Sequence, residues 1–242
     1  MSEQTSHNTA HDKSRFYDSI ASDFDQIMNH YDLQRRLEVV FDQLLGGKNL
    51  QGLKLLDAGC GTGYFSRRAV STGAEVTSVD IGVNLLKEAR KKGLSQTVAS
   101  DVTSLGFADE TFDVVISSEC IEHTPSPETA VSELVRVLRP GGTLVLTCPN
   151  RFWHWSCRLA NALGIRPYLG LENWPSWSSL RHWSQANGIE ISAHIGLHLF
   201  PFVLKPTHGL LRMLDHAGSK LGPLYVNQCL IGTKRPNAEA NQ

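Results

Sequence analysis

The sequence predicts an α/β protein: a seven-stranded, mostly parallel sheet with helices on both faces and helical insertions over one side. Three observations lead there. Short runs rich in Val, Ile and Leu alternate with amphipathic stretches, and the first of these runs passes straight into a cluster of glycines. A length of 242 residues also suits one large α/β domain with a modest insertion.

Taken in order, FYDSIASDFD sets Phe16 or Tyr17, Ala21 and Phe24 on one face at helical spacing, and a second helix is expected from about Leu33 to Leu45. Five strands then read LKLLDAG, AEVTSVD, SQTVASD, FDVVISS and GTLVLTC, the βαβ texture of a parallel sheet covered on both faces. YFSRRAVSTG follows the first strand as a helix. SPETAVSELVRVLRPGG precedes the fifth: Ser126-Pro127 suits a helix start, and Arg139-Pro140-Gly141-Gly142 supplies a breaker and a turn. After Asn150 the texture changes, because Trp153, Trp155, Trp174, Trp177 and Trp183, all the tryptophans of the chain, fall in one short stretch. Ile189 to His194 reads as a sixth strand and Tyr225 to Thr233 as a seventh. The apolar, helical stretch LFPFVLKPTHGLLRMLDHAGSKLG lies between them.

Composition narrows the partners. A formal net charge of -1 and the absence of any Lys/Arg block leave no electrostatic footprint for a polyanion, so nucleic acid is not expected as a substrate. Cys60, Cys120, Cys148, Cys157 and Cys229 are odd in number and widely spaced, which reads as reduced thiols of a cytoplasmic protein. MSEQTSHNTAHDKS is polar, and no apolar run is long enough to span a bilayer, so contact with a membrane is expected to be at most peripheral. Residues 1 to about 13 and the tail from Pro236 are expected to fray.

The motif richest in chemistry is Leu55-Leu56-Asp57-Ala58-Gly59-Cys60-Gly61-Thr62-Gly63, a strand entering glycines and then a helix. Glycines let the backbone turn tightly and let a ligand approach the main chain without Cβ collisions. A dinucleotide-binding turn would need G-x-G-x-x-G, whereas position 64 here is Tyr64.

D-x-G-C-G-T-G resembles the first motif of class I S-adenosylmethionine-dependent methyltransferases, and later segments match that family in order and spacing. The resemblance implies that Asp57, Gly59, Gly61 and Gly63 embrace the methionine part of S-adenosylmethionine. It implies that Asp80, with Ile81 beside it, binds both ribose hydroxyls, and that Asp101-Val102 meets adenine. A carboxylate can accept two hydrogen bonds from a diol, which accounts for the residue type at 80. Tyr17 resembles part of an amino-terminal lid, and Arg36 is a candidate for the cofactor's carboxylate. The implied organisation is a single domain over 1–242, with a helical lid at 14–46, a cofactor-binding core at 47–150, and acceptor-side insertions at 151–188 and 197–223. The last strand is implied to run antiparallel.

Ser117-Ser118-Glu119-Cys120-Ile121-Glu122-His123 follows the fourth strand, at the sheet edge where ligands sit in open α/β folds. It lacks the N/D-P-P-F/Y used to grip an amino nitrogen, which points to oxygen or carbon as acceptor. Ser118 and Glu119 are also candidates for the cofactor site. Glu119, Glu122 and His123 stand at i, i+3 and i+4, so one helical turn would project all three together. They are the candidate catalytic residues, with His123 as general base toward a hydroxyl. The same three are the candidate ligands for a divalent cation such as Mg that would acidify the acceptor.

E-x-x-E-H resembles the ubiquinone-pathway O-methyltransferases, although Ser118 and the Trp-rich stretch depart from them. Cys148-Pro149 suggests a nucleophilic cysteine only if nucleic acid were the substrate; a small buried strand-end residue is the simpler reading. The tryptophans suit either a flat or sugar-like acceptor or plain packing. The apolar stretch from 197 to 222 suits a lid, a membrane-touching amphipathic helix or core. Three functions follow from the sequence: O-methylation of a small molecule, C- or N-methylation of a small metabolite, and a cofactor-binding partner subunit without transfer activity.

Overall fold

A computed structural model describes residues 16–164 and 170–236. The ends expected to fray, residues 1 to about 13 and the tail beyond Pro236, lie outside the described residues. Among the described residues no helix is long and apolar enough to cross a membrane.

The described residues begin with two single turns, α1 (Phe16–Ser19) and α2 (Phe24–Ile27), where the spacing predicted one helix. The break has a local cause: the Ser19 hydroxyl donates to the Phe16 carbonyl at 2.6 Å, and the Asp18 side chain is drawn away to another element. Helix α3 (His30–Leu37) starts three residues before the predicted Leu33, because the Asn29 side chain caps it by accepting from the Asp32 amide. It runs on into a π-helical turn over Glu38–Leu44. That wider turn narrows the arc spanned by the consecutive Val39, Val40 and Phe41, all of which are buried.

Strand β1 (Lys54–Ala58) is followed by α4 (Tyr64–Val70), β2 (Glu75–Asp80), α5 (Val83–Lys91), β3 (Thr97–Ala99) and β4 (Phe112–Ser118). Helix α6 (Pro127–Val137) starts where Ser126-Pro127 predicted, with the Ser126 hydroxyl accepting from the Thr129 amide. Strand β5 (Leu138–Pro149) takes in Arg139 to Gly142. Pairing with β4 jumps from Phe112↔Leu138 to Val114↔Thr143, so the Pro-Gly-Gly segment bulges at the start of the strand instead of forming a separate turn. Beyond it lie α7 (His154–Ala162), α8 (Trp177–Ala186), β6 (Ile189–Leu197), α9 (His208–Leu214), α10 (Gly218–Leu221) and β7 (Asn227–Lys234).

The seven strands form one sheet in the order β3-β2-β1-β4-β5-β7-β6, with β7 antiparallel to both neighbours and the pairs from β3 to β5 parallel. Chain order reverses at β1, which opens a crevice at the carboxyl ends of β1 and β4. Burial follows the two-residue period of a strand. Leu56, Val115, Leu144 and Leu146 pack on one face with α6 and α8; Leu55, Val114, Ile116 and Val145 pack on the other with α4 and the π turn. Both faces are covered, and the predicted seven-stranded α/β architecture is the observed one.

Candidate active site

A cavity of about 890 Å³ opens over the carboxyl ends of β1, β2 and β4, roofed by α1 to α3 on one side and by α7 with the segment after β6 on the other. Its volume suits a nucleoside cofactor together with a small acceptor.

The turn after β1 is made by its backbone. The Gly59 and Cys60 amides both donate to the Val79 carbonyl at 2.8 Å, and the Gly63 amide donates to Cys60 O at 2.8 Å. Gly59 has φ +78, and a Cβ there would stand 2.2 Å from Cys120 Sγ, so a side chain is excluded twice over. Gly63 has φ +88 and opens α4; a Cβ would meet Leu94 at 2.3 Å. Of the three glycines expected around the cofactor, Gly59 and Gly61 line the cavity, and Gly63 does not. Its part is close packing of α4 on the loop after α5.

Asp57 is buried, with Ser66 Oγ donating to it at 2.5 Å. Burial raises its carboxyl to about 6, the Ser66 hydrogen bond working against the rise and nearby Asp80 adding to it. Asp80 closes the far side of the turn: Oδ2 accepts from the Gly61 amide and Oδ1 from the Gly82 amide, both at 2.8 Å. Burial lifts this carboxyl too, against those two amide bonds. Each oxygen keeps a second lone-pair direction, and Asp80 and Ile81 line the cavity. Asp101 is held by its own loop, its Oδ1 accepting from the Thr103 amide at 2.8 Å and hydroxyl at 2.7 Å, while Asp101 and Val102 line the cavity.

The lid residues act through contacts that sequence reasoning missed. Asp18 Oδ1 accepts from the Asn84 amide at 2.6 Å and the Leu85 amide at 3.2 Å, capping the start of α5 from a distant part of the chain. Asp25 accepts from Thr62 Oγ1 at 2.6 Å and pairs with Lys92. These two carboxylates latch α1 and α2 over the glycine turn. Only their polarity, off the apolar face of FYDSIASDFD, signalled them in the sequence. Tyr17 lines the cavity and meets the His123 ring edge-on at 5.1 Å.

Arg36 lies buried between Asp32 Oδ2 and Ser118 Oγ, each at 2.8 Å. Asp32 Oδ1 in turn accepts from Asn227 Nδ2 at 3.0 Å and lies 3.1 Å from His198 Nε2. Burial works to raise the Asp32 carboxyl, but Arg36 and His198 prevail and hold it below its ordinary range. Thus the predicted Arg36 does line the cavity, as one member of a buried network reaching the segment after β6. Because Arg36 donates to Ser118, and Thr147 Oγ1 donates to Glu119 Oε1 at 3.2 Å, the 2.8 Å contact between the two hydroxyls runs from Ser118 to Thr147.

The Glu119-Glu122-His123 group does not share a helical turn. Glu119 has φ +51, Cys120 leaves the helical region, and only Ile121–His123 forms a 3₁₀ turn. Consequently Glu119 turns toward Thr147, while Glu122 lies beside His123, its Oε1 3.7 Å from His123 Nε2. Among the described residues no group of three or more His, Cys, Asp or Glu side chains is arranged to hold a metal ion, which corrects the candidate Mg site. Burial raises the Glu119 carboxyl to about 7 and, with the neighbouring Glu119 charge, raises Glu122 well above the usual carboxylate range. Glu122 Oε2 is buried without a hydrogen-bond partner. His123 Nδ1 lies 2.8 Å from the Leu171 carbonyl. A carbonyl can only accept, so Nδ1 carries the proton in that contact and Nε2 presents its lone pair.

Of the tryptophans, Trp174 alone lines the cavity. Trp177 stacks on His194 at 3.4 Å, Trp183 packs on the core, and Trp153 donates to Leu224 O while stacking on Trp155. Packing is their main work.

The residues present fit a sulfonium nucleoside bearing an amino acid. A buried carboxylate, Asp80, a glycine turn and a second carboxylate, Asp101, all line one cavity. Comparison with known proteins agrees. Residues 56–146 match a family model described as a methyltransferase domain. The chain is 34% identical over 166 residues to a ubiquinone biosynthesis O-methyltransferase of Pseudomonas aeruginosa, covering 63% of this chain and 71% of that protein. It is 35% identical over 119 residues to one of the same description from Xanthomonas oryzae pv. oryzae, covering 47% of this chain; there the chain spans about half the relative's length, 50%. A solved structure of a SAM-dependent methyltransferase from Thermotoga maritima shares the fold at a TM-score of 0.65 and 18% identity, over 94% of this chain and 100% of that one. With cavity, turn and sequence relatives in agreement, this chain belongs to the class I S-adenosylmethionine-dependent methyltransferases.

Proposed function

We propose that the chain transfers a methyl group from S-adenosylmethionine to a hydroxyl oxygen of a small-molecule acceptor. The observation that carries the reading is His123: its ring faces the cavity holding Asp80, with Nδ1 anchored on the Leu171 carbonyl and Nε2 directed toward Glu122. The names of the relatives, both O-methyltransferases, support oxygen as the acceptor atom.

When bound, S-adenosylmethionine supplies a methyl carbon already activated by the adjoining sulfonium. The chain's own residues then have four tasks. Asp80 and the turn at Gly59 and Gly61 hold the nucleoside, and Asp101 with Val102 receives its base. His123 Nε2 takes the acceptor's proton as the oxygen attacks; with Nδ1 donating to Leu171, Nε2 is the lone-pair nitrogen of the neutral ring. Glu122, kept neutral by burial, offers the incoming hydroxyl a hydrogen-bond partner through the Oε2 atom that has none in the protein. Tyr17, Phe24 and the latched lid exclude water and hold the reactants in line, and such positioning supplies much of the rate in transfers of this kind.

The test is transfer of labelled methyl to a panel of hydroxylated small molecules, with the product's linkage read by mass spectrometry or NMR. An ether or ester product supports the reading. Label on carbon or nitrogen overturns oxygen as the acceptor, and tight cofactor binding without any transfer favours a partner subunit.

A further inference from the structure

Exposed apolar surface is unevenly distributed. Of the fourteen large apolar side chains exposed among the described residues, ten lie between 152 and 224. Scattered single residues of this kind need no explanation, whereas a concentration does. On α7, Trp155 and Leu159 stand one turn apart and Leu163 follows one turn later, all more than half exposed. Beyond β6, Val203 is 76% exposed, and Leu210 and Met213 face outward from α9 while Leu211 between them is buried.

These two segments flank the mouth of the cavity. Cys157 and Ala160 on the inner side of α7 line it from one direction, and Phe202 and Val203 from the other. Charge on the same segments has one sign. Arg151, Arg158, Lys205 and Lys220 are exposed and make no ion pair among the described residues, and Arg212 is shared with Glu38. The acidic residues of the region between β5 and β6 and between β6 and β7 nearest the mouth turn inward: Glu172 lies near His154, and Asp215 is buried against Arg35. The chain as a whole carries a net charge of -1, so this face is basic against the average.

We propose that the face formed by α7 and the segment from Val203 to Leu224 docks on an anionic lipid bilayer, with the cavity mouth turned toward the membrane. Apolar side chains on short helices, rimmed by unpaired Lys and Arg, enter the boundary between headgroups and acyl chains, and the basic rim meets the anionic headgroups. A second copy of the chain is a poorer occupant. A twofold interface would press this basic face against itself. Docking would let an acceptor held at the bilayer surface enter the cavity without crossing water. The docking itself does not rest on the methyltransferase chemistry, since it can be read as binding.

The test is co-sedimentation of the full chain with vesicles of phosphatidylcholine alone and of phosphatidylcholine with phosphatidylglycerol. Binding to the anionic vesicles is expected, weakened at least about tenfold either by omitting the anionic lipid or by raising salt to the molar range. Leu159→Asp with Met213→Asp, and separately Arg151→Gln with Arg158→Gln and Lys205→Gln, should abolish most of that binding. Both variants should keep the melting temperature and the affinity for S-adenosylhomocysteine, which also separates loss of docking from loss of the cofactor site. Three results would overturn the proposal: no vesicle binding by the unmodified chain, undiminished binding by both variants, or a stable dimer in light scattering that the Leu159→Asp, Met213→Asp variant converts to monomer.

Discussion

The two walls of the cavity are built by different means. On the cofactor side, between residues 47 and 150, main-chain atoms at strand ends do the shaping: Val79 O receives two amides of the turn, and Asp80 receives two more through its side chain. On the opposite side, short helices after Asn150 carry many exposed apolar residues and are tied to the amino-terminal helices through buried contacts, Arg36–Asp32–His198 with Asn227, and Arg35–Asp215. The contrast teaches that one wall is set by backbone geometry local to strand ends, while the other depends on contacts between segments far apart in the chain.

Substitutions on each side should separate these functions. The largest effect is expected at His123. His123→Gln should lower turnover by about 10²–10⁴-fold, the usual size of a lost general base, while calorimetry with S-adenosylhomocysteine shows nearly unchanged affinity. Equal losses in both would mean that the ring shapes the cofactor wall. Next, Gly59→Ala should destabilise the fold by about 2–4 kcal/mol in denaturant unfolding, through the unfavourable backbone angle and the collision with Cys120 together. A stability within error of wild type would show that the turn can shift to admit a Cβ.

Asp80→Ala should weaken S-adenosylhomocysteine binding by about 1–3 kcal/mol through lost hydrogen bonds, with melting of the ligand-free chain as the control for the loosened Gly61 turn. His198→Ala should cost a similar or somewhat smaller amount, about 1–2 kcal/mol, because Asp32 loses one of its three partners. If the walls are coupled, this change also raises the KM for the acceptor; an unaltered KM would make the network purely structural.

A pH effect follows from Asp57, whose carboxyl burial raises to about 6 from 3.8. A raised carboxyl favours the folded state fully below pH 3.8, and that contribution is lost as pH climbs through about 6. The melting temperature of the wild type relative to Asp57→Asn should therefore fall between those values and level off above them. A flat difference would mean that Ser66 keeps Asp57 ionised throughout.

Regular patterns carried most of the fold into view. The two-residue alternation of Leu55/Leu56 and Val114/Val115 and the cap at Ser126 each depend on neighbours in sequence, so strands and helix starts could be read without the structure. The E-x-x-E-H segment shows the limit. Its spacing suggested a shared helical turn, yet the left-handed Glu119 lies outside the 3₁₀ turn that carries Glu122 and His123, and a backbone angle of that kind leaves no trace in residue spacing. Likewise FYDSIASDFD was legible as apolar and helical, but its division into two turns reflects Asp18 and Asp25 being claimed by α5, Thr62 and Lys92.

By itself, the sequence determined the sheet and the glycine turn after its first strand, because each follows from local periodicity or from a turn whose residues are adjacent in the chain; the carboxylates at 80 and 101 were singled out by the family resemblance. Tertiary structure alone decided that Gly63 packs a helix rather than lining the cavity, that Arg36 is gripped by Asp32 and Ser118, and that Glu119 turns to Thr147 while Glu122 stays beside His123. Those outcomes depend on contacts between residues tens to nearly two hundred positions apart, whose cost and reward appear only when the chain has closed on itself.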